Sequence, residues 1–392
     1  MNTETQRLLF RGARLFGPVD EWQPGWLLTE GRRIRWLGPG EPPQFPEGFI
    51  TRRVDAEGLC LLPGFVDLHV HGAMGWEVMD GAAEGLRAMA RFYARHGVTA
   101  FLPTTWTASD AAAGAALEAV ASVMGPVPGG AAVVGAHLEG PYLNPAKTGA
   151  QDSSLIRRAG PAEAREYLDS GLVRLITLAP EYPENLWLVE ECTRRGVAVS
   201  AGHTEAGLEE LKEAVARGLR HVTHCFNAML PLGHRDLGTV GAALALPELN
   251  VELIADNIHV HPEAQKILVQ VKGPERVILV TDAIRGAGMP DGEYPIDTRT
   301  ITIQKGEARL PDGTLAGSVL TMERALRNVV AATGRPLREC WPMSSLNAAR
   351  EIGLSASKGS LEAGKDADLV LLDADFNVAM TVAAGEIVYE PA

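Results

Sequence analysis

Two histidines one residue apart, His69 and His71, close the apolar run Phe65-Val66-Asp67-Leu68-His69-Val70-His71-Gly72 and offer the clearest chemistry in the chain. Alternate side chains of a strand share a face, so Asp67, His69 and His71 point one way and Val66, Leu68 and Val70 the other. Two imidazoles at i and i+2 can reach one cation, and neutral imidazole is a favoured ligand of zinc and its neighbours. Taken alone, the pair reads equally well as a polar edge facing water. Further ligand-type residues end apolar runs in the same way: Glu139 in His137-Leu138-Glu139-Gly140-Pro141, His203 in Ala201-Gly202-His203-Thr204, His224 in Thr223-His224-Cys225, and Asp282 in Val280-Thr281-Asp282-Ala283. A buried carboxylate such as Glu139 is costly without a cation or donor beside it. The chemistry this set implies is metal-assisted hydrolysis. A divalent ion brings the pKa of bound water to about 7, and a carboxylate beside it takes the proton and hands it to the leaving group. Asp282, on the last of these runs, suits that second task. His137 is expected to support ligands rather than join them, and His96 and His221 are expected to be structural.

Such residues act together only if the fold brings their strand ends to one place. From residue 65 the sequence alternates apolar strands with amphipathic or alanine-rich helices. Strands are expected at 65–71, 98–103, 132–138, 173–178, 197–202, 221–225, 251–255 and 277–281, and helices near 82–95, 108–124, 161–169, 184–195, 207–217, 262–271 and 320–332. Eight βα units predict an α/β fold, a (β/α)8 TIM-type barrel whose active site lies at the C-terminal strand ends. Four imidazoles (His69, His71, His203, His224) and two carboxylates (Glu139, Asp282) then share one rim. The stretch 283–319, rich in Gly, Asp and β-prone residues, predicts a functional loop or small β-insert over the barrel mouth. Before residue 63 and after about 350 the chain reads as short strands broken by Pro and Gly. A small β-sandwich domain built from both termini, 1–62 plus 350–392, is therefore expected around a catalytic barrel at 63–349.

Composition narrows the class. The 392 residues are 46% hydrophobic and 22% charged, as in ordinary globular enzymes, and the formal charge of −13 argues against a general nucleic-acid binder. No apolar run approaches a membrane span, and no signal peptide is read at the N-terminus. Four widely spaced cysteines (Cys60, Cys192, Cys225, Cys340) suit reduced thiols in a cytoplasm.

With these residues placed, the sequence resembles the amidohydrolase superfamily and, within it, the N-acetylglucosamine-6-phosphate deacetylase family. The resemblance runs nearly end to end, through the segments quoted above and through Cys225-Phe226-Asn227-Ala228-Met229, Ile254-Ala255-Asp256-Asn257-Ile258-His259-Val260, Leu315-Ala316-Gly317-Ser318 and Gly364-Lys365-Asp366-Ala367-Asp368. It implies hydrolysis of N-acetylglucosamine 6-phosphate to glucosamine 6-phosphate and acetate by metal-activated hydroxide, with Asp282 as general acid and base. It further implies that Glu139, His203 and His224 hold one metal, and that His69 and His71 hold a second with Glu139 bridging. His259 and Gln151 match positions that contact the sugar and the acetamide carbonyl. Arg235, with the backbone around Asn227 and Ala228, matches the phosphate site, which suits the bidentate pairing of guanidinium with phosphate. The cofactor implied is one or two divalent ions, with zinc foremost and iron, manganese or cobalt also suited to such ligands. The partner implied is a small amino-sugar phosphate, acted on by a cytoplasmic homodimer.

Two departures touch the sugar-phosphate pocket. Many relatives read His-Arg-Glu-Pro-Gly where this chain has His234-Arg235-Asp236-Leu237-Gly238, and Gly where Asn257 stands. The competing readings are an amidohydrolase of another N-acyl amine or amide, and a non-catalytic barrel scaffold, which would normally have lost ligands.

Overall fold

The computed structural model describes residues 6–297 and 299–391. Eight parallel strands form the barrel: Phe65–Val70, Val98–Thr105, Ala136–Glu139, Val173–Leu178, Ala198–Ala201, His221–Val222, Asn250–Leu253 and Val277–Leu279. Ala132–Val133 is a detached piece of the third strand, pairing with Ala100 and Phe101 of the second. Neighbours pair in sequence order, and the eighth strand returns to the first. There the Asp282 N–H donates to the His69 carbonyl at 2.9 Å and the His71 N–H to that of Ala283 at 2.7 Å. Parallel strands covered on both faces read as near-continuous apolar runs. The buried stretches Phe65–Val70 and Val98–Thr105 follow that rule, apart from the polar residues that serve the site.

The expected helices are all present: Ala83–Arg95, Asp110–Val123, Pro161–Asp169, Pro183–Arg195, Leu208–Arg217, Pro262–Lys272 and Met322–Thr333. Their ends carry ordinary signals. Ser109 caps the second by accepting from the Ala112 N–H, and proline opens three others at the first turn. Three helices fall where no element was expected: Gly238–Ala245, Leu337–Cys340 and Leu346–Glu351. The first of these begins Gly-Thr-Val-Gly, a poor helix former, and is held by burial of most of its residues rather than by propensity.

Strands from both ends of the chain form one eight-stranded sheet. Cys60–Pro63 lies between Leu8–Phe16 and Leu369–Leu372. The sheet has its own core, in which Leu8, Phe10, Leu27, Leu61, Leu371 and Met380 meet, so a separate β unit is woven from both termini as the sequence implied. The excursion after strand eight forms a three-stranded antiparallel sheet, Gly292–Ile296, Arg299–Gln304 and Glu307–Arg309. It packs Ile296, Ile301 and Ile303 against Ala150 and Ile284 at the barrel mouth. Among the described residues no helix is long and apolar enough to cross a membrane.

Candidate metal centre

Each ligand-type side chain sits where its strand ends. His69 and His71 close the first strand, Glu139 the third, and His203, His224 and Asp282 follow the fifth, sixth and eighth. Their polar atoms form one cage. The Glu139 Oε1 lies 3.1 Å from His203 Nε2, 3.0 Å from His224 Nε2 and 3.4 Å from His69 Nε2, while its Oε2 lies 3.4 Å from His71 Nε2. The two imidazole pairs are equally close, with Nε2 atoms 3.2 Å apart in His69–His71 and 3.1 Å apart in His203–His224. Asp282 Oδ1 completes the cage at 3.2 Å from His71 Nε2 and 3.5 Å from His69 Nε2.

These separations are those of a coordination shell. Ligands about 2.0–2.1 Å from a tetrahedral ion stand about 3.3–3.4 Å from one another. The opposite ring nitrogens show which tautomer faces inward. The Nδ1 of His69 is 3.0 Å from the Glu252 carboxylate, that of His71 3.2 Å from the Thr104 carbonyl, and that of His203 2.8 Å from the Lys147 carbonyl. An Nδ1–H donating outward leaves a lone pair on Nε2. Lone pairs of imidazoles and carboxylates facing one another at these distances demand a positive charge between them. Two groups, His69–His71–Glu139 and Glu139–His203–His224, have the donor set and closeness to hold a metal ion, and Glu139 is shared by both.

The electrostatics carry the same demand. Burial pushes Glu139 upward, but the close His69, His203 and His224 imidazoles outweigh it and hold the carboxyl well below its usual range. Asp282 is likewise lowered against its burial by His69 and His71. His69 is raised well above its ordinary value because Glu139, Asp282 and Glu252 outweigh its burial. His137, buried near these imidazoles, is pushed well down and stays neutral. Its ring bonds the Leu68 carbonyl and the Thr177 hydroxyl, the supporting place expected of it. His96 caps a helix and bonds Glu323, as expected of a structural residue.

Backbone strain marks the same rim. His203, His224, Phe226, Ala228, Asn257 and Asp282 all have positive φ without being glycine, a costly conformation that clusters at functional sites. The Leu315-Ala316-Gly317-Ser318 segment explains how Asp282 is held there. The Ser318 N–H donates to the Asp282 carbonyl at 2.8 Å and its hydroxyl to the Thr281 carbonyl at 2.5 Å. Gly317, at φ +60°, passes so close that a Cβ would stand 2.8 Å from that same carbonyl oxygen.

A cavity of about 330 Å3 opens beside the cage, within the roughly 300–1,000 Å3 typical of small-molecule sites. Glu139, His203, His224 and Asp282 line it, with Asn227, Ala228 and His259 on the wall. The Asp256 carboxylate holds His259 Nδ1 at 2.7 Å. Gln151 is buried, donating from Nε2 to Glu139 Oε2 at 2.5 Å and accepting from the Thr107 N–H at 2.7 Å. Arg235 is placed differently from the rest. It is exposed on the loop before Gly238 and is not part of the cavity wall.

Three contributors were not foreseen. Trp106 stacks on His71 with ring centroids 3.8 Å apart, and its buried Nε1–H has no partner. It follows the second strand, whose end holds no ligand-type residue to draw attention. Arg309, on the insert, is the one guanidinium on the cavity wall among the described residues. Glu252 is a lone carboxylate inside the apolar strand Asn250–Leu253, a costly placement that was itself a signal. It accepts from His221 Nε2 at 2.9 Å, so the histidine read as structural also touches the carboxylate behind the cage. Burial pushes His221 down, but Glu351 and Glu252 outweigh it and raise it to about 10. A larger cavity, about 560 Å3, lies at the opposite end of the barrel and contains none of the ligand candidates.

The sequence profile of the Amidohydrolase family matches residues 60–388. The N-acetylglucosamine-6-phosphate deacetylase of Lysinibacillus sphaericus is 37% identical over 357 residues, covering 90% of this chain and 92% of its own. The N-acetylgalactosamine-6-phosphate deacetylase of Escherichia coli O157:H7 is 38% identical over 340 residues, covering 86% and 89%. The crystal structure of a Mycobacterium smegmatis N-acetyl-D-glucosamine-6-phosphate deacetylase variant in complex with N-acetyl-D-glucosamine-6-phosphate superposes with a TM-score of 0.90 at 32% identity, covering 98% of this chain and 99% of its own.

Proposed function

The chain belongs to the amidohydrolase family and, within it, to the N-acetylhexosamine-6-phosphate deacetylases, and from that premise we propose that it hydrolyses N-acetylglucosamine 6-phosphate to glucosamine 6-phosphate and acetate. The observation that supports this reading best is the six-residue cage of four imidazoles and two carboxylates beside a cavity of small-molecule size. We assign Glu139, His203 and His224 to one divalent ion and His69 and His71 to a second, with Glu139 between them. Zinc is our first choice for both. An ion held there would supply an attacking oxygen from water at neutral pH and would polarise the acetamide carbonyl.

The chain's own residues do the rest. Asp282, held ionised beside His69 and His71, takes the proton of the attacking water and returns it to the sugar nitrogen as the C–N bond breaks. Gln151 spends one Nε2 hydrogen on Glu139 and has the other for the acetamide oxygen. With Nδ1 held by Asp256, His259 keeps Nε2 for a sugar hydroxyl. Asn227 and Ala228 face the phosphate through their backbone. Arg235 is assigned to that phosphate from its exposed loop, and Arg309 is the alternative cation if Arg235→Ala leaves KM unchanged and Arg309→Ala raises it. We place the enzyme in the cytoplasm as a homodimer, with 1–62 plus 350–392 as one unit and 63–349 as the catalytic one.

The test is acetate release by metal-replete protein from N-acetylglucosamine 6-phosphate, from the same sugar without phosphate, and from N-acetylgalactosamine 6-phosphate. The third substrate matters because a relative of that name is as similar as the others and because Asn257 stands at φ +68° beside His259. Asp282→Asn is expected to lower turnover about 10²–10⁴-fold with metal content unchanged. Full activity in that variant removes Asp282 from the mechanism.

A further inference from the structure

Behind the cage runs a line of buried ionisable groups that the reaction does not require. The Glu252 side chain is wholly buried. Its Oε2 accepts from His69 Nδ1 at 3.0 Å and from the His224 N–H at 3.0 Å, and its Oε1 accepts from His221 Nε2 at 2.9 Å. The other nitrogen of His221 lies 3.4 Å from Glu351 Oε1. Glu351 in turn accepts from the Asn250 side chain at 2.5 Å and borders the cavity at the far end of the barrel. The line therefore passes from a candidate metal ligand on one rim to the opposite mouth.

We propose that Glu252, backed by His221 and Glu351, is the positioning residue that fits His69 to hold a cation and so makes the first-strand pair a second metal position. The inference rests on the reading of His69 and His71 as ligands. A carboxylate at Nδ1 fixes the ring's proton on that side and makes Nε2 the better donor to a metal. Among the described residues the other three cage imidazoles lack such a partner. His71 and His203 face backbone carbonyls, and His224 Nδ1 has no hydrogen bond. An unpaired buried carboxylate would be expensive. His221 Nε2 occupies the second oxygen of Glu252, and Glu351 faces His221 from the other side. The same Oε2 also holds the backbone of His224, so one atom ties a ligand of each half together.

The experiment counts ions in the full-length protein. The wild-type chain, stripped and reloaded with zinc, is expected to hold two. Glu252→Gln keeps the shape and an acceptor but loses the charge. It is expected to bind the second ion roughly 10–100-fold more weakly and to retain one ion after dialysis, with circular dichroism unchanged. Cobalt loading gives a second readout, since the absorption of the first-strand site should be lost while that of the other persists. Glu351→Gln, remote from every ligand, should weaken the second ion by a smaller factor. Two ions with wild-type affinity in Glu252→Gln, or one ion in the saturated wild type, overturns the inference. If Glu252→Gln does not fold, Glu351→Gln carries the test, and wild-type affinity there overturns it. His71→Asn separates this failure from failure of the ligand reading. If His71→Asn also holds two ions, the ligand assignment itself is wrong. If it loses one while Glu252→Gln does not, the positioning role alone falls.

Discussion

The two halves of the cage are built by different means. At the end of the first strand, His69 and His71 are buried, with each Nδ1 bonded and His71 covered by Trp106. Opposite them, His203 and His224 sit on left-handed backbone just past their strands, and both face the cavity. The first pair is buried off the cavity and braced by Glu252 and Trp106, while the second stands in the loops that wall it. Rigidity and access are thus divided between two pairs of the same residue type, and Glu139 joins them. His203, His224 and Asp282 line the cavity, whereas His69 and His71 lie beneath it.

The most severe test of this contrast is the shared residue. Glu139→Gln should empty both positions and lower turnover by more than about 10⁴-fold, a loss on the scale of removing an essential catalytic group. Retention of one tightly held ion would show the halves to be independent. Next in size, His203→Asn should cost about 10²–10³-fold in kcat/KM and His71→Asn about tenfold, since His203 lines the cavity and His71 does not. Equal losses would erase the distinction between a facing and a buried half. Metal removal by a chelator should lower the melting temperature, because an ion held at 100 times its Kd contributes about 2.7 kcal/mol to the folded state. That loss should be smaller in His71→Asn than in wild type. The mildest test is Trp106→Phe, which keeps the stack on His71 and deletes the unpartnered N–H. We expect a few-fold rise in KM with ion content unchanged, and a larger effect on ion content than on KM would make Trp106 part of the buried half.

The sequence was legible where one periodicity governed both burial and chemistry. An apolar strand ending in a polar residue is visible in one dimension, and so the positions of His69, Glu139, His203, His224 and Asp282 on one rim follow from the alternation of strands and helices alone. Helix Gly238–Ala245 was hidden because its glycines and β-branched residues deny it propensity and only its packing makes it helical. Trp106 was hidden because an aromatic after an apolar strand looks like core. The reach of His221 was hidden for a related reason. It opens a strand at the end of the barrel away from the site, and only the depth of Glu252 and the arrival of Glu351 from a late helix reveal what it joins. Arg235 was found by resemblance, and its exposed loop shows how little a motif says about distance when no element anchors it.

The strand Cys60–Pro63 has a consequence for how the protein is made. One residue separates it from the strand that carries His69 and His71, and one of its two edges is completed by Leu369–Leu372. During synthesis that edge stays bare while some three hundred residues emerge, an open template for wrong partners. A nascent chain lacking only its tail would own every proposed ligand and still be missing the brace beside the first of them, so shortening the C-terminus past Leu369 should appear as aggregation during expression before it appears as a fault in chemistry.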